Sequence, residues 1–233
     1  MSVVLDSLKW ELQRHPLFEA LTEEDLAHFL SSARQVVFPA RKRIFEQGDE
    51  SESLFIVLSG RVKISVHSGA GKETVLSFMG ANDVLGEMGV LDGGARSAGA
   101  TALEGTRALQ IYRRDIIAFL ERNPTIAMRI IATLATRLRH TNAQLEDIAT
   151  LPTAPRLARA LLRLAEQHGK KEESGAVRIE FKISQAVLGA HAGVMRENVN
   201  RQIKQWESDG LVASDAGVLT LLDPAKMKAI SEG

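Results

Sequence analysis

The segment Gly86-Glu87-Met88-Gly89-Val90-Leu91-Asp92-Gly93-Gly94-Ala95-Arg96-Ser97-Ala98 gathers residue types that would bind a phosphate and a sugar together. It reads as a short turn of helix, then a glycine-rich loop, then Arg-Ser. The start of a helical turn offers free backbone N–H groups to an anion, and glycines let the backbone approach closely. Arg96 supplies a planar fork matched to phosphate oxygens, and the Ser97 hydroxyl adds a donor. Glu87 repels a phosphate, but it can accept from a ribose hydroxyl. Phosphate donors beside a carboxylate are what a nucleotide sugar-phosphate would require, and Gly86, Glu87, Met88, Arg96 and Ser97 are the candidate binding residues of this segment.

A second cluster could read base edges. Ser184 is a good N-cap for a helix through Gly189 to Ala190, Gly193 supplies a tight turn, and a further helix runs from about Met195 to Ser208. This is helix-turn-helix spacing, in which the N-terminal residues of the second helix lie in the major groove of DNA. Arg196, Glu197, Asn198, Asn200 and Arg201 fall in its first two turns, with Lys204 a turn further on and Val199, Ile203 and Trp206 on the apolar face. Arginine grips guanine O6 and N7, and glutamate accepts from cytosine N4. Leu211 to Leu221, turning at Asp215-Ala216-Gly217, reads as a hairpin wing.

Other elements must hold these two clusters. From about Val36 to Tyr112 the apolar period is two, as in Val62, Ile64 and Val66 alternating with Lys63, Ser65 and His67. Strands at Arg43-Ile44-Phe45, Leu54 to Leu58, Thr74 to Met79 and Ala108 to Tyr112 are separated by turns at Gly48-Asp49, Ser59-Gly60 and Gly69-Ala70-Gly71. Many short strands of this kind predict a sandwich or jelly roll. Before them, Thr22-Glu23-Glu24-Asp25 reads as an N-capped helix start rather than a catalytic carboxylate pair.

After Asn123-Pro124 the period lengthens. Ala127, Ile131, Leu134, Leu138, Thr141, Leu145 and Ile148 are spaced 4, 3, 4, 3, 4, 3, a heptad seam that predicts a two-stranded coiled coil and so a homodimer. Thr141 is the polar exception within it. Pro152 ends the helix, Pro155 suits the first turn of the next, and Leu157, Leu161, Leu162 and Leu164 give that next helix an apolar stripe that fades into Gly169 to Gly175. The expected division is 1–123, 124–151 and 152–233.

Composition narrows the function classes. The 233 residues include no cysteine, which excludes disulfides, thiolate metal sites, cysteine-held iron–sulfur clusters and a cysteine nucleophile. The net charge is zero, so a DNA partner rests on local arrangement alone. No apolar run approaches a membrane span and the N-terminus lacks signal-peptide character, so a cytoplasmic protein without membrane attachment is expected. The six histidines are scattered without metal-type pairing, and no metal is expected. A phosphodiesterase would need a histidine–aspartate metal cluster, so the chain is not expected to be an enzyme. A regulatory subunit that binds nucleotide without DNA would lack the second helix of the 184–208 segment.

The chain resembles the Crp/Fnr superfamily, and within it the catabolite activator protein (cyclic AMP receptor protein) type, over nearly its whole length. The likeness runs through Glu46-Gln47-Gly48-Asp49, Leu58-Ser59-Gly60-Arg61-Val62, the 86–98 segment, the long helix, and Arg196-Glu197-Asn198-Val199-Asn200-Arg201, which is similar to the family's Arg-Glu-x-Val-x-Arg pattern. The resemblance implies an α+β fold: a β-roll or jelly-roll cyclic-nucleotide-binding domain, a long dimerisation helix and a winged helix-turn-helix domain. It implies that Glu87 takes the ribose 2′-hydroxyl, that Arg96 and Ser97 take the cyclic phosphate, and that Gly86 offers backbone. Thr141 would meet the base in its own subunit and Asn142 the base held by the partner subunit, while Arg137 would pair with Glu87. Arg196, Glu197 and Arg201 would read a palindromic TGTGA-like operator in double-stranded DNA, with RNA polymerase as a further partner. The ligand implied is cAMP or cGMP; alternatives in the superfamily are cyclic di-GMP, haem (with His67 or His140 as axial ligand) and nucleotide-independent DNA binding. The 86–98 loop is one residue shorter than in the best-known members, Asn142 stands where they have serine, Pro152 where they have aspartate, and Gln202 where an aliphatic residue is usual.

Overall fold

The computed structural model describes residues 2–13, 15–19 and 21–232. Packing divides it into two units. The first runs to Val66 and takes in Leu76–Arg137; the second comprises His67–Val75 and everything from Leu138 onward. The long helix therefore gives its first half to one unit and its second half to the other, and the hairpin tip 67–75 belongs with the second. No helix among the described residues is long and apolar enough to cross a membrane.

In the first unit, helices α1 (Ser2–Gln13) and α2 (Glu23–Ser32) precede strands β1 (Ala33–Phe38), β2 (Arg43–Phe45), β3 (Ser53–Ser59), β4 (Val62–His67), β5 (Glu73–Met79) and β6 (Val84–Leu85). A short helix α3 (Glu87–Asp92), strands β7 (Gly99–Ala102) and β8 (Thr106–Tyr112), helix α4 (Arg113–Arg122) and the long helix α5 (Pro124–Thr150) follow. Thr22 caps α2 as expected, its hydroxyl accepting from Asp25 N–H at 3.1 Å. The strands form two four-stranded sheets, ordered β1-β8-β3-β6 and β2-β7-β4-β5.

The run Leu54-Phe55-Ile56-Val57 is apolar without alternation because β3 is covered on both faces. Phe55 and Val57 meet Val62, Met79 and Ala100 between the sheets, whereas Leu54 and Ile56 join Phe29, Phe119 and Ile126 under the helices. Helix α5 divides its apolar residues in the same way. Ile126 and Ile130, which lie outside the heptad seam, are buried in that helical layer with Leu134 packed against it. The seam residues Ile131, Leu138 and Leu145 stand exposed, the last two at 61% and 66%.

The second unit adds α6 (Thr153–His168), β9 (Gly169–Lys171), β10 (Val177–Ile179), α7 (Gln185–Ala192), α8 (Arg196–Ser208), β11 (Val212–Asp215), β12 (Val218–Leu221) and α9 (Pro224–Ser231). Its sheet is ordered β11-β12-β10-β9. The stretch Gly169 to Gly175, read as a polar fade-out of the preceding helix, instead forms strand β9 and the turn into β10, with Val177 opposite Lys171. The sequence hid it because β9 is Gly-Lys-Lys and carries no apolar alternation. Ala216 and Gly217 both have positive φ (47° and 87°), the geometry a two-residue hairpin turn requires, and so the wing forms as read.

Candidate nucleotide and DNA sites

Gly86 and Gly93 bracket α3, at φ 78° and 79°. Both are left-handed positions that favour glycine. At Gly86 the reason is also spatial, since a Cβ there would run into the Arg96 guanidinium. Asp92 stiffens the following loop by accepting from Gly94 N–H at 2.8 Å. The Arg96 backbone is pinned to the earlier Gly48-Asp49 turn: Arg96 N–H donates to Asp49 O and Gly48 N–H donates to Arg96 O, each at 2.8 Å. Thus the two glycine motifs noted in the sequence, forty-odd residues apart, are one structure.

The Arg96 side chain is 6% exposed and Glu87 5%. Arg96 donates to Gly86 O at 2.7 Å and to Ser53 O, and its guanidinium lies 4.2 Å from the centre of the Phe45 ring. Its Nε is buried with no hydrogen-bond partner. Burial pushes its pKa down, opposed by the charges of Asp49 and Glu87. A buried cation that spends two of its five N–H groups on backbone carbonyls, and whose Nε has no partner, keeps the donors an anionic oxygen needs. Ser97 is exposed and donates toward the Met88 sulfur at 3.5 Å, which brings the Met88 side chain to the same loop face.

Glu87 is paired with Arg137, the Nη1–Oε1 distance being 2.7 Å, and Arg137 also donates to Val84 O at 2.6 Å. This ties α5 to the loop as read from the sequence. Asp83, which the sequence reading passed over, lies 3.9 Å from Arg137; burial pushes its pKa up, and the Gly80 N–H and the positive charges of Arg137 and Arg61 oppose that rise. Thr141 and Asn142 are exposed on the part of α5 that belongs to the second unit. His67 is exposed and lies 3.8 Å from Glu73, while exposed His140 meets Gln167 at 3.1 Å. Among the described residues no His, Asp or Glu cluster could hold a metal ion.

In the second unit Ser184 caps α7 through Val187 N–H at 3.2 Å, and Gly193 turns the chain at φ 64°. A Cβ at Gly189 would strike the Val194 carbonyl, so α7 and the turn close tightly only with glycine there. Val199, Ile203 and Trp206 are buried, which leaves Arg196, Glu197, Arg201 and Lys204 exposed on the other face of α8. Asn198 accepts from Arg201 at 2.7 Å and so steadies that guanidinium. Asn200 differs from its neighbours: it is half-buried and accepts from Gln185 at 3.1 Å, tying α8 to α7. Gln202 is also half-buried.

Sequence reasoning missed a buried polar group on α5. Asp147, 2% exposed, bonds Arg159 at 2.7 Å and also Arg163, both on α6. Gln144, one turn earlier, is likewise buried. Only their heptad positions, off the apolar seam, hinted that they face protein rather than water.

Residues 35–123 match the family model for the cyclic nucleotide-binding domain, and residues 155–230 match that for the Crp-like helix-turn-helix domain. The cyclic AMP receptor protein of Thermus thermophilus is 34% identical over 218 residues, covering 94% of this chain and 97% of the relative. The crystal structure of the Thermus thermophilus catabolite activator protein is 33% identical, with a TM-score of 0.52 over 94% of this chain and 99% of the other. The c-di-GMP responsive regulator CLP of Xanthomonas campestris shares the fold, with 22% identity and a TM-score of 0.73 over 87% of this chain and 100% of the other. With a nucleotide-binding β-domain, a long helix and a helix-turn-helix head each in place, this chain belongs to the Crp/Fnr family of DNA-binding transcription regulators, which are not enzymes.

Proposed function

We propose that the chain is a homodimeric regulator that binds a cyclic mononucleotide, cAMP or cGMP, and then holds two α8 helices on a palindromic TGTGA-like site in double-stranded DNA. The observation that carries the ligand reading is Arg96, a buried guanidinium with an unpartnered Nε, set beside the buried Glu87 and the exposed Ser97. In this reading Arg96 and Ser97 hold the cyclic phosphate, Glu87 accepts from the ribose hydroxyl, and Gly86 and Met88 flank it. The Thermus thermophilus relative is named for cyclic AMP, which favours cAMP, whereas the Xanthomonas campestris neighbour is described as c-di-GMP responsive. Thr141 and Asn142 are assigned to the base by family likeness, Asn142 from the partner subunit. An amide carries both donor and acceptor, so it suits adenine or guanine.

The exposed seam Ile131, Leu138 and Leu145 supports dimerisation along α5, because three large apolar side chains at heptad spacing gain most by pairing with a second copy. Two heads are then expected to read half-sites about 34 Å apart, one turn of DNA. A protein doing this work operates in the cytoplasm and meets RNA polymerase. Ligand activates only as far as it prefers the DNA-competent state. Calorimetry with cAMP, cGMP and cyclic di-GMP, each followed by a gel shift on a palindromic TGTGA site, tests the reading. Equal DNA affinity with and without saturating nucleotide would sink ligand gating.

The DNA half of the proposal makes its own prediction. Arg201→Ala should cost about 1–3 kcal/mol at its guanine and relax specificity at that position. Competition against singly substituted operators measures this. A uniform loss across all sequences would make Arg201 a phosphate contact instead.

A further inference from the structure

A cluster of buried polar bonds lies within the second unit, where a hairpin tip, a helix and the head meet. Strand β5 is an edge strand of its sheet, so its outward backbone groups need partners. The carbonyl of Val75, at the end of the 67–75 segment, finds two. Gln144 Nε2 on α5 donates to it at 3.1 Å, and His191 Nδ1 on α7 lies 3.2 Å from it. A carbonyl has no proton to give, so His191 is the donor and carries its proton on Nδ1. The second proton of the same Gln144 amide goes to the His191 backbone carbonyl at 2.6 Å. Gln144 and His191 are 6% and 7% exposed, and Val75 is fully buried. One side-chain amide thus bridges the hairpin and the first helix of the helix-turn-helix, while Gly193, just past α7, packs against Ile148 of α5.

We infer that Gln144 and His191 are positioning residues: they form a joint that fixes the reading head and the β4–β5 hairpin tip to the second half of α5. The joint does not cover the reading surface, because it engages α7 whereas Arg196, Glu197 and Arg201 on α8 remain exposed. It therefore acts on where the head points rather than on its chemistry. A head held at one angle has less freedom to lose when two heads must match two half-sites, so the joint favours the palindrome over a single half-site. The inference rests on the paired-head reading above.

The test compares DNA affinity for a full palindrome and for one half-site, by fluorescence anisotropy on the full-length protein, with hydrogen exchange read over residues 73–77. Gln144→Met keeps chain length and removes both donated bonds; His191→Asn keeps a donor and serves as the conservative control. For Gln144→Met the expected result is a loss of about tenfold on the palindrome with half-site affinity within twofold, and several-fold faster exchange in the hairpin. His191→Asn is expected to keep the preference for the palindrome. An equal loss on both DNAs, or an unchanged preference with the hairpin freed, would overturn the joint. If the unsubstituted protein itself does not prefer the palindrome, the paired-head reading fails. Hairpin exchange in Gln144→Met then decides the joint alone: faster exchange supports it and unchanged exchange overturns it.

Discussion

Replacing Arg96 by leucine is expected to weaken cyclic-nucleotide binding by at least about a hundredfold while leaving the protein folded. Charge-assisted bonds from a guanidinium to a phosphate each contribute about 1.5–3 kcal/mol, and a pair of them corresponds to roughly two to four orders of magnitude in affinity. The protein should survive the loss because two effects oppose each other. Gly86 O and Ser53 O each lose a donor, at about 1–3 kcal/mol apiece where no water reaches them. Against this, a charge that burial already disfavours is removed, and leucine is suited to the contact with Phe45. Calorimetry with cAMP and cGMP, beside a thermal melt, separates the outcomes. Arg96→Lys keeps the charge without the fork and should fall between the two. Unchanged affinity in Arg96→Leu would move the phosphate elsewhere in the molecule.

Acidification is expected to destabilise both units over the same range of pH. Burial lowers the pKa of His15 in the first unit and of His191 in the second to about 4, from an ordinary value of 6.5. Both are therefore neutral in the fold, and the unfolded chain takes up protons that the fold refuses. Their contribution is fully present above pH 6.5 and is lost as pH falls from there toward 4. A difference of this size is worth up to roughly 3 kcal/mol per histidine at the acid end. Asp83 works the other way, since its raised pKa lets the fold hold a proton more readily than the unfolded chain does. Urea unfolding followed by tryptophan emission at pH 7, 6, 5 and 4.5 measures the effect, with buried Trp206 reporting on the head. His191→Asn should flatten the pH dependence of the head and leave that of the first unit intact. A midpoint that does not move between pH 6.5 and 4.5 would show that neither imidazole is held neutral by burial.

The parts of the molecule that were legible in the sequence share one property: their physics is local. Gly86 and Gly93 mark the ends of a six-residue helix because φ near +78° favours glycine wherever the rest of the chain goes. Ser184, Thr22 and the Ala216-Gly217 turn state their geometry within three or four residues. The apolar face of α8 follows from a 3.6-residue period, and with it the exposure of Arg196, Glu197 and Arg201. Strand β9 stayed hidden because Gly-Lys-Lys has no period to read; its partner β10 makes it a strand. The bond from Gln185 to Asn200 was not legible either, because it depends on how α7 packs against α8.

The nucleotide loop is where sequence and tertiary structure divide the work most clearly. The sequence by itself determined the inventory: an arginine and a serine after a glycine loop, a glutamate before it, a heptad helix and a recognition helix. Tertiary structure decided the state of those groups. It buried Arg96 between Phe45 and two carbonyls, pinned its backbone to Gly48-Asp49, and brought Arg137 to Glu87 from fifty residues away. It also turned Gln144, Asp147 and His191 from unremarked polar residues into buried bonds within the second unit. The reason is that residue type and spacing specify which bonds a side chain is able to make. Which of them it does make depends on what the fold places within about 3 Å of it and whether water is kept away, and neither is written in local sequence.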